Sequence, residues 1–578
     1  MATATATGSL GSRLAYKPQS LNFGTSGRRG QVIHLTQLEI YTNVVAEIQY
    51  LQLLPQSEGG IQAGDDFYYA HDLRPSSTAL VDVGCGGRRG GLCQAVEQAL
   101  KDTGMHPINL GAIPTPALTC WALKHGKGSI MVTGSHIPFD RNGYKLNTSK
   151  GELMKRDEKP INDKVAIVRE KLISQLFAES PFDNQGVFRS ISAQTDFQPA
   201  IPDGRKAYFQ RYVEFFKGET LQDVKLIAYQ HSAVGRDLLV DIFEALGADV
   251  TPAGRSDTFV PIDTEAIDQA QLNTVQDLWR STGTGHKFDA IISTDGDSDR
   301  PLILAPEGDK LRFFGGDLLG MVVADFLGAD AAVVPISSND AIDRGALSSV
   351  TEPKTKIGSP YVIAGMEKAI SKGRRRVCGW EANGGFLTGC DIERNGNILT
   401  ALPTRDAFLP LLCALFAARN RGLTLPELFD GLPQRFSRAA LLRNFPRSTS
   451  LKIIARFSPP EASMQNVSYP PDGLFVRDAD NTKLDVQEPH AKQIEKIREA
   501  LETVFTPQLG FASIIQILYT DGVRILFSNG DVAHFRPSGN ADELRIYAVA
   551  DAQERADKIA SLGTAESDGL LRRLEKMI

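Results

Sequence analysis

Cysteine is scarce in this chain, and its spacing does not suit structural work. Cys85, Cys93, Cys120, Cys378, Cys390 and Cys413 are scattered over 578 residues with no Cys-x-x-Cys pair. That excludes a zinc ribbon or a disulfide frame and fits the reduced, buried thiols of a cytoplasmic protein. Long apolar runs are missing too. The longest candidates, such as Leu409 to Ala418, fall well short of the ~20 residues a membrane span needs, so no membrane partner is expected. Positive charge is not in excess. A net charge of -6 argues against a nucleic-acid partner, which wants a basic face. The tight run Arg374-Arg375-Arg376 reads as a solvated turn, with attraction of an anionic substrate as the other reading. Residues 1–20 are rich in Ala, Thr, Ser and Gly and lack the apolar core of a secretory signal. No acid precedes Glu39, a feature shared with transit peptides, and a flexible tail over residues 1–20 is the reading adopted.

What is present is an ordinary globular composition, 42% hydrophobic and 23% charged, in a chain long enough for several domains. The most informative stretch is Thr133-Gly134-Ser135-His136-Ile137-Pro138-Phe139-Asp140-Arg141-Asn142-Gly143-Tyr144-Lys145. The apolar run Ile130-Met131-Val132 predicts a buried strand that delivers Ser135 to a loop, and Gly134 is expected to let the backbone turn sharply there. A serine hydroxyl is a weak nucleophile, so it needs a base, a metal or a group already attached. The Gly-x-Ser-x-Gly elbow of the hydrolases is not matched. A plain Ser/Gly turn is the other reading.

A second stretch, Asp295-Gly296-Asp297-Ser298-Asp299-Arg300, lies between strand-like segments at Phe288–Thr294 and Pro301–Leu304. Three carboxylates at alternate positions repel one another unless a cation lies among them, and hard oxygen donors suit Mg²⁺. An EF-hand would need Gly sixth and Glu twelfth, where this chain has Arg300 and Pro306. Arg300 is placed to hold a phosphate oxygen. A third stretch, Phe535 to Tyr547, turns through Arg536, Ser538, Gly539, Asn540 and Arg545. Forked guanidinium donors and backbone N–H groups form a phosphate cradle, although Pro-Ser-Gly-Asn is also an ordinary turn.

Together these stretches resemble the α-D-phosphohexomutases, the family of phosphoglucomutase, phosphomannomutase and phosphoglucosamine mutase. Gly24-Thr25-Ser26-Gly27-Arg28-Arg29-Gly30 resembles the N-terminal Gly-Thr-Ser-Gly-x-Arg-Gly motif and puts Arg29 on its active-site arginine. Thr133 to Lys145 resembles the phosphoserine loop, with Ser135 as the phosphorylated residue and Lys145 as its lysine. Asp295, Asp297 and Asp299 match the metal-binding loop, and Gly379 to Phe386 resembles the sugar-binding loop. The resemblance implies Ser135, Lys145 and Arg29 as catalytic, and Mg²⁺ on Asp295, Asp297, Asp299 and the Ser135 group. It implies His136, Arg300, Glu381, Asn383, Arg536, Ser538, Gly539, Asn540 and Arg545 as contacts to a phosphosugar substrate. A hexose 1,6-bisphosphate is implied as intermediate and activator, in a cytoplasmic monomer or homodimer.

Three departures stand out. Glu381, Asn383 and Gly385 occupy the positions of the family's usual Glu-x-Ser-Gly-His, so no imidazole is available at 385 for acid–base work. Ser298 stands where Gly is common, and Asn540 where Thr is common. The whole loop pattern is most similar to a bacterial phosphomannomutase branch, which leads to mannose 6-phosphate and mannose 1-phosphate first, then glucose and glucosamine phosphates. A metal-dependent phosphatase and a non-catalytic homologue are readings from other classes.

The expected fold is α/β. Family resemblance implies three related mixed α/β domains and a smaller C-terminal α+β domain around a central cleft. The expected segments are a tail at 1–20 and domains at 21–200, 201–307, 308–430 and 431–578. Ser180 to Asp203 reads as a linker, and Asp72 to Ser77 as a loop more structural than functional. In the last domain, strands are expected at Leu451–Phe457, Ile514–Leu518, Val523–Phe527 and Ala533–Phe535, and a helix at Ala552–Leu562.

Overall fold

The computed structural model describes residues 8–24, 27–84, 87–190, 198–265, 267–282, 288–479, 481–539 and 542–578. The chain forms two compact units, one of Met1–Phe314 with Gly384–Pro426 and one of Gly315–Asn383 with Glu427–Ile578. Residues 308–430, expected as one domain, contribute to both.

The first unit holds two sheets of the same design. One is built from β1 (Arg28–Gln31), β2 (Asp66–His71), β3 (His106–Ala112), β4 (Ser129–Val132) and β5 (Arg141–Thr148), with the short β6 (Gly151–Glu152) on β5. Its order is β3-β2-β4-β5-β1, in which β2, β3 and β4 are parallel and β5 and β1 antiparallel. The other is built from β7 (Lys225–His231), β8 (Asp249–Arg255), β9 (Ala290–Thr294), β10 (Pro301–Glu307) and β11 (Lys310–Phe313). Its order is β8-β7-β9-β10-β11, again three parallel strands followed by two antiparallel ones. In both, the third parallel strand is buried along its whole length. Such a strand reads as an unbroken apolar run because helices cover both faces of a parallel sheet. The serine loop joins β4 to β5, and the acidic loop joins β9 to β10. The two loops therefore leave equivalent places in two related sheets.

The N-terminal stretch departs from the expected tail. From residue 8 it is pinned: Leu10 is fully buried, Leu10 N donates to Gln175 O at 2.8 Å, and Ala15 N donates to Asn184 O at 2.8 Å. Sparse charge and small residues mimic a floppy segment, and the single anchoring leucine is not visible as a pattern. The linker expected from Ser180 is likewise packed at its start. Phe182 and Phe188 lie in the core with ring centroids 4.4 Å apart, each edge-on to Tyr41. Residues 191–197 of that segment lie outside the described residues.

In the second unit, Ala331–Val333 runs parallel to Val377–Trp380, with helix Ser359–Ser371 packed on both. The C-terminal part is an antiparallel sheet in which Phe436–Arg443, Glu543–Ala550, Val532–Pro537, Val523–Phe527 and Ile514–Leu518 are successive neighbours. Helix Gln553–Thr564 packs on it, as expected for an α+β unit. The strand expected at Leu451–Phe457 is instead helix Arg447–Arg456. Its buried positions Ser450 and Ile453, with the buried cap residue Phe457, follow the helical spacing of three and four, and this periodicity overrides the β-branched pair Ile453-Ile454.

Helix Gln37–Leu51 carries the charge that locks β1 in place. Thr36 caps it by accepting from Glu39 N at 3.1 Å. One turn from its end, the fully buried Glu47 accepts from Arg28 Nε at 2.6 Å and from the Tyr144 hydroxyl at 2.8 Å, joining β1 to β5. Burial pushes the Glu47 carboxyl up, and Arg28 opposes that shift. Replacing Glu47 by Ala strands the Arg28 charge in the core. The expected cost is about 3–5 kcal/mol of unfolding free energy, read as a lowered urea midpoint followed by intrinsic fluorescence. An unchanged midpoint would contradict the pairing.

Candidate active site

Ser135 caps the end of β4 in a left-handed conformation, φ 54°. A non-glycine residue held there stores roughly 1–3 kcal/mol of strain and needs surroundings that enforce it. The expected turn at Gly134 is thus made by the serine itself. Gly134 is present for another reason: a Cβ there would lie 2.6 Å from the Arg74 guanidinium carbon.

Arg74 is what enforces the loop. Its guanidinium donates to Ser135 O (2.9 Å), Ile137 O (2.6 Å), Pro138 O (2.8 Å) and Arg141 O (3.0 Å). Asp72 holds its Nε at 3.1 Å and also accepts from the Thr133 hydroxyl at 2.8 Å and from Gly134 N at 3.2 Å. The Phe259 ring lies 3.7 Å from the guanidinium carbon. One planar fork therefore gathers four carbonyls, of which Pro138 O also accepts from Arg141 N at 3.1 Å. The Asp72–Ser77 stretch runs into the short helix Pro75–Thr78, and through Asp72 and Arg74 it braces the serine loop.

The acidic loop meets the serine loop face to face. Ser135 Oγ donates to Asp295 Oδ2 at 2.8 Å. A Cβ at Gly296 would strike Ser135 O at 2.7 Å, so a glycine is required for the two loops to abut. Ser298 is a second left-handed non-glycine residue, φ 58°. Its hydroxyl accepts from Gly235 N at 3.0 Å and from the Thr294 hydroxyl at 2.8 Å, which offsets the strain a glycine would avoid.

Asp295, Asp297 and Asp299 are all buried, and a ligand oxygen from each lies within 4.8 Å of the others. The cations around them come from separate elements. Lys145 Nζ, on β5, lies 2.6 Å from Asp297 Oδ2 and 2.5 Å from Asp299 Oδ2. Arg405 Nη2, on strand Leu402–Asp406, lies 3.0 Å from Asp299 Oδ2. The Thr115 hydroxyl donates to Asp297 Oδ2 at 2.5 Å. Burial and the two neighbouring carboxylates push the Asp295 carboxyl well up. Asp297 is also buried, but Lys145 and Thr115 hold its carboxyl well below the usual range. Arg405 and Lys145 lower the Asp299 carboxyl against burial.

The residues fit a divalent cation by a specific test. Asp297 Oδ1 and Asp299 Oδ1 are buried and accept no hydrogen bond, whereas each Oδ2 is occupied by protein donors. Buried carboxylate oxygens left bare are costly unless a cation takes them.

Around this centre, Arg29 is delivered by β1 pairing, with Arg29 opposite Gly143 and its Nη1 on Tyr144 O at 3.2 Å. Burial, with Arg74 and Arg405 close by, lowers its guanidinium to about 10. Arg300 Nη1 donates to His136 Nδ1 at 2.8 Å, so these two expected substrate contacts form one pair.

In the second unit, Glu381 and Asn383 are buried just past strand Val377–Trp380. The C-terminal hairpin sets Arg536 directly opposite Arg545, and Ser538 N closes it on Glu543 O at 2.9 Å. Each arginine has an acidic neighbour, Arg536 Nε lying 3.5 Å from Asp521 Oδ1 and Arg545 Nη2 3.2 Å from Glu543 Oε2. Asn540 lies outside the described residues, as do Thr25 and Ser26.

The sequence reading missed Arg405, Thr115 and the supporting role of Arg74. The signal for Thr115 was the Pro114-Thr115-Pro116 start of helix Thr115–Lys124, which leaves a hydroxyl at an open helix end. Arg405 carried none beyond being an arginine in a buried strand. For Arg74, Arg74→Lys keeps the charge and loses the fork. Amide exchange at Ile137 and Arg141 is expected to rise at least about tenfold, the equivalent of roughly 1.4 kcal/mol of local stability, with β4 unaffected. Unchanged exchange would refute the clamp.

Residues 20–171 match the description phosphoglucomutase/phosphomannomutase, alpha/beta/alpha domain I, residues 315–436 match its domain III, and residues 481–562 its C-terminal domain. The chain is 35% identical over 545 residues to a phosphomannomutase of Sinorhizobium fredii, covering 94% of this chain and 98% of that protein. It is 36% identical over 541 residues to a phosphomannomutase of Salmonella muenchen, covering 93% and 94% respectively. A crystal structure of a phosphoglucomutase/phosphomannomutase family protein from Burkholderia thailandensis shares the fold, with a TM-score of 0.60 at 16% identity over 97% of this chain and 98% of that one. With its serine and acidic loops facing each other at the ends of two matching sheets, the chain belongs to the phosphoglucomutase/phosphomannomutase family of phosphosugar-isomerising phosphotransferases.

Proposed function

We propose that the protein is a phosphomannomutase, interconverting mannose 6-phosphate and mannose 1-phosphate through a phosphoserine at Ser135 and a hexose 1,6-bisphosphate. The observation that carries the reaction is the Ser135 hydroxyl seated 2.8 Å from a carboxylate of the acidic triad. The sugar is favoured by the phosphomannomutases that resemble the chain over nearly its whole length.

Phosphoryl transfer needs charge compensation and in-line positioning more than elaborate covalent machinery. Asp295, Asp297 and Asp299 would hold Mg²⁺, which when bound supplies positive charge to the oxygens of the group being transferred. A sugar hydroxyl oxygen attacks the phosphorus carried on Ser135. The new sugar O–P bond forms as the Ser135 Oγ–P bond breaks; the attacking hydroxyl loses one proton and the departing Ser135 Oγ takes one up, so the exchange leaves a sugar phosphate and a free serine hydroxyl with no net change in protons. In the reverse half-reaction the other phosphate of the bisphosphate returns to Ser135. Lys145 and Arg29 supply the positive charge around this exchange. Arg29 supplies charge alone, since a guanidinium stays protonated at working pH. Lys145, clamped between two carboxylates, keeps the loop neutral enough to accept a dianionic group. Arg300 and His136, already hydrogen-bonded to each other, are proposed to contact the reacting phosphate.

Arg536, Ser538, Gly539, Asn540 and Arg545 would hold the non-reacting phosphate in both orientations, so that remote binding energy orients the reacting end. Glu381 and Asn383 would grip hydroxyls common to both orientations. A hexose 1,6-bisphosphate would serve as activator by restoring lost phosphate to Ser135. A cytoplasmic monomer or homodimer is part of the same proposal. Among the described residues no helix is long and apolar enough to cross a membrane.

The test is to measure kcat/KM in parallel for mannose, glucose and glucosamine 1-phosphates. The mannose phosphate is expected to lead by about tenfold or more, the equivalent of ~1.4 kcal/mol of transition-state discrimination. A lead for glucosamine 1-phosphate would overturn the substrate assignment while leaving the mutase chemistry standing.

A further inference from the structure

We infer that Arg405 is a positioning residue that turns the Asp299 carboxylate toward the bound divalent cation, and that Gly385 exists to give Arg405 its path. The inference rests on the reading of the acidic loop as a cation site and not on which sugar is turned over.

The geometry is asymmetric. Asp299 Oδ2 receives Arg405 Nε at 3.1 Å, Arg405 Nη2 at 3.0 Å and Lys145 Nζ at 2.5 Å. Asp299 Oδ1 is buried and accepts no hydrogen bond, with Arg300 Nε 3.8 Å away. A carboxylate has two oxygens and rotates freely about its bond to Cβ unless one of them is pinned. Three donors on Oδ2 and none on Oδ1 fix that rotation and leave Oδ1 as the ligand atom. Lys145 alone does not do this, because its ammonium is shared with Asp297 Oδ2 at 2.6 Å.

Arg405 reaches Asp299 only because residue 385 has no side chain. Strand Leu402–Asp406 pairs antiparallel with Phe386–Thr388, Phe386 opposite Asp406, and the Arg405 side chain runs against Gly385. A Cβ at 385 would lie 2.8, 2.7 and 2.5 Å from Arg405 Cβ, Cγ and Cδ. Those atoms are the root of the side chain, so they cannot swing aside without withdrawing the guanidinium from Asp299. The next residue anchors the strand end. Asp406 accepts from the Tyr208 hydroxyl at 2.6 Å, from the Tyr212 hydroxyl and from Phe408 N at 2.9 Å. Arg405 is 3% exposed, so its charge is not free to relocate to solvent.

A guanidinium acting only as a nearby positive charge would repel the cation, and its removal would tighten binding. A guanidinium acting by orientation does the opposite. The experiment is calorimetric titration of Mg²⁺ into dephosphorylated full-length protein, comparing wild type with Arg405→Ala, Arg405→Lys, Gly385→Ala and the Gly385→Ala/Arg405→Ala double variant. Arg405→Ala is expected to weaken Mg²⁺ binding about 10–100-fold, the usual effect of removing a group that orients a metal ligand. Arg405→Lys keeps the charge but not the two-point contact, and is expected to recover only part of that loss. Gly385→Ala is expected to weaken binding with Arg405 intact, and to cost much less in the Arg405→Ala background. Mg²⁺ affinity unchanged or raised in Arg405→Ala or Gly385→Ala would overturn the inference. If Arg405→Ala does not fold by near-UV circular dichroism, Arg405→Lys and Gly385→Ala decide in the same way. Wild-type protein that binds no Mg²⁺ would overturn the cation reading of the acidic loop, and this inference with it.

Discussion

Mutual repulsion among three buried carboxylates organises the first unit of this protein. Two unit charges 4 Å apart still interact by about 4 kcal/mol at an effective dielectric of 20. Asp295, Asp297 and Asp299 lie out of solvent with a ligand oxygen from each within 4.8 Å of the others, and the repulsion shows in the raised Asp295 carboxyl. No single neighbour can offset that, and the structure recruits compensation from four elements. Lys145 comes from β5, Thr115 from the start of a helix, Arg405 from a strand far along the chain, and Ser135 from the loop opposite. The attraction between these carboxylates and the donors around them is what ties the four elements to the acidic loop.

The chain builds this meeting by using one sheet design twice. The C-terminal end of β4 delivers the serine loop, and that of β9 delivers the acidic loop, each where a buried parallel strand gives way to an antiparallel one. Loops at such places are positioned by rigid strands yet free of ladder hydrogen bonds, a combination that suits reactive residues. Both loops hold a serine with positive φ, at Ser135 and Ser298, and both satisfy that strain with nearby donors and acceptors. Strain at a reactive loop persists only when the surroundings over-determine it. Here the four-carbonyl clamp of Arg74 does so for the serine loop.

The parts of this site legible in the sequence are those with a local pattern. Ile130-Met131-Val132 announced β4, alternate aspartates announced the acidic loop, and the strands of the last sheet announced themselves at Ile514, Val523 and Ala533. What escaped was long-range. Arg405 lies more than a hundred residues from Asp299, and nothing in Pro403-Thr404-Arg405-Asp406 marks its partner. Gly385 looked like a loss, the absence of an imidazole, whereas the structure fills its place with the arginine that contacts the acidic loop. Local propensity also misled. Ile453-Ile454 suggested a strand, but burial at Ser450, Ile453 and Phe457 makes a helix. The small residues before Leu21 suggested a loose tail, but Leu10 is buried and held at the end of helix Glu158–Ser174 by a backbone bond to Gln175.

The central claim is that Ser135 carries a phosphoryl group in turnover. Its most direct test is intact mass followed by peptide mapping, after incubating dephosphorylated enzyme with a hexose 1,6-bisphosphate and Mg²⁺. The account predicts a gain of one phosphate, located on Ser135 and absent when the same incubation is done with Ser135→Ala. A phosphate located on any other residue, or full turnover by enzyme that never gains one, would contradict it.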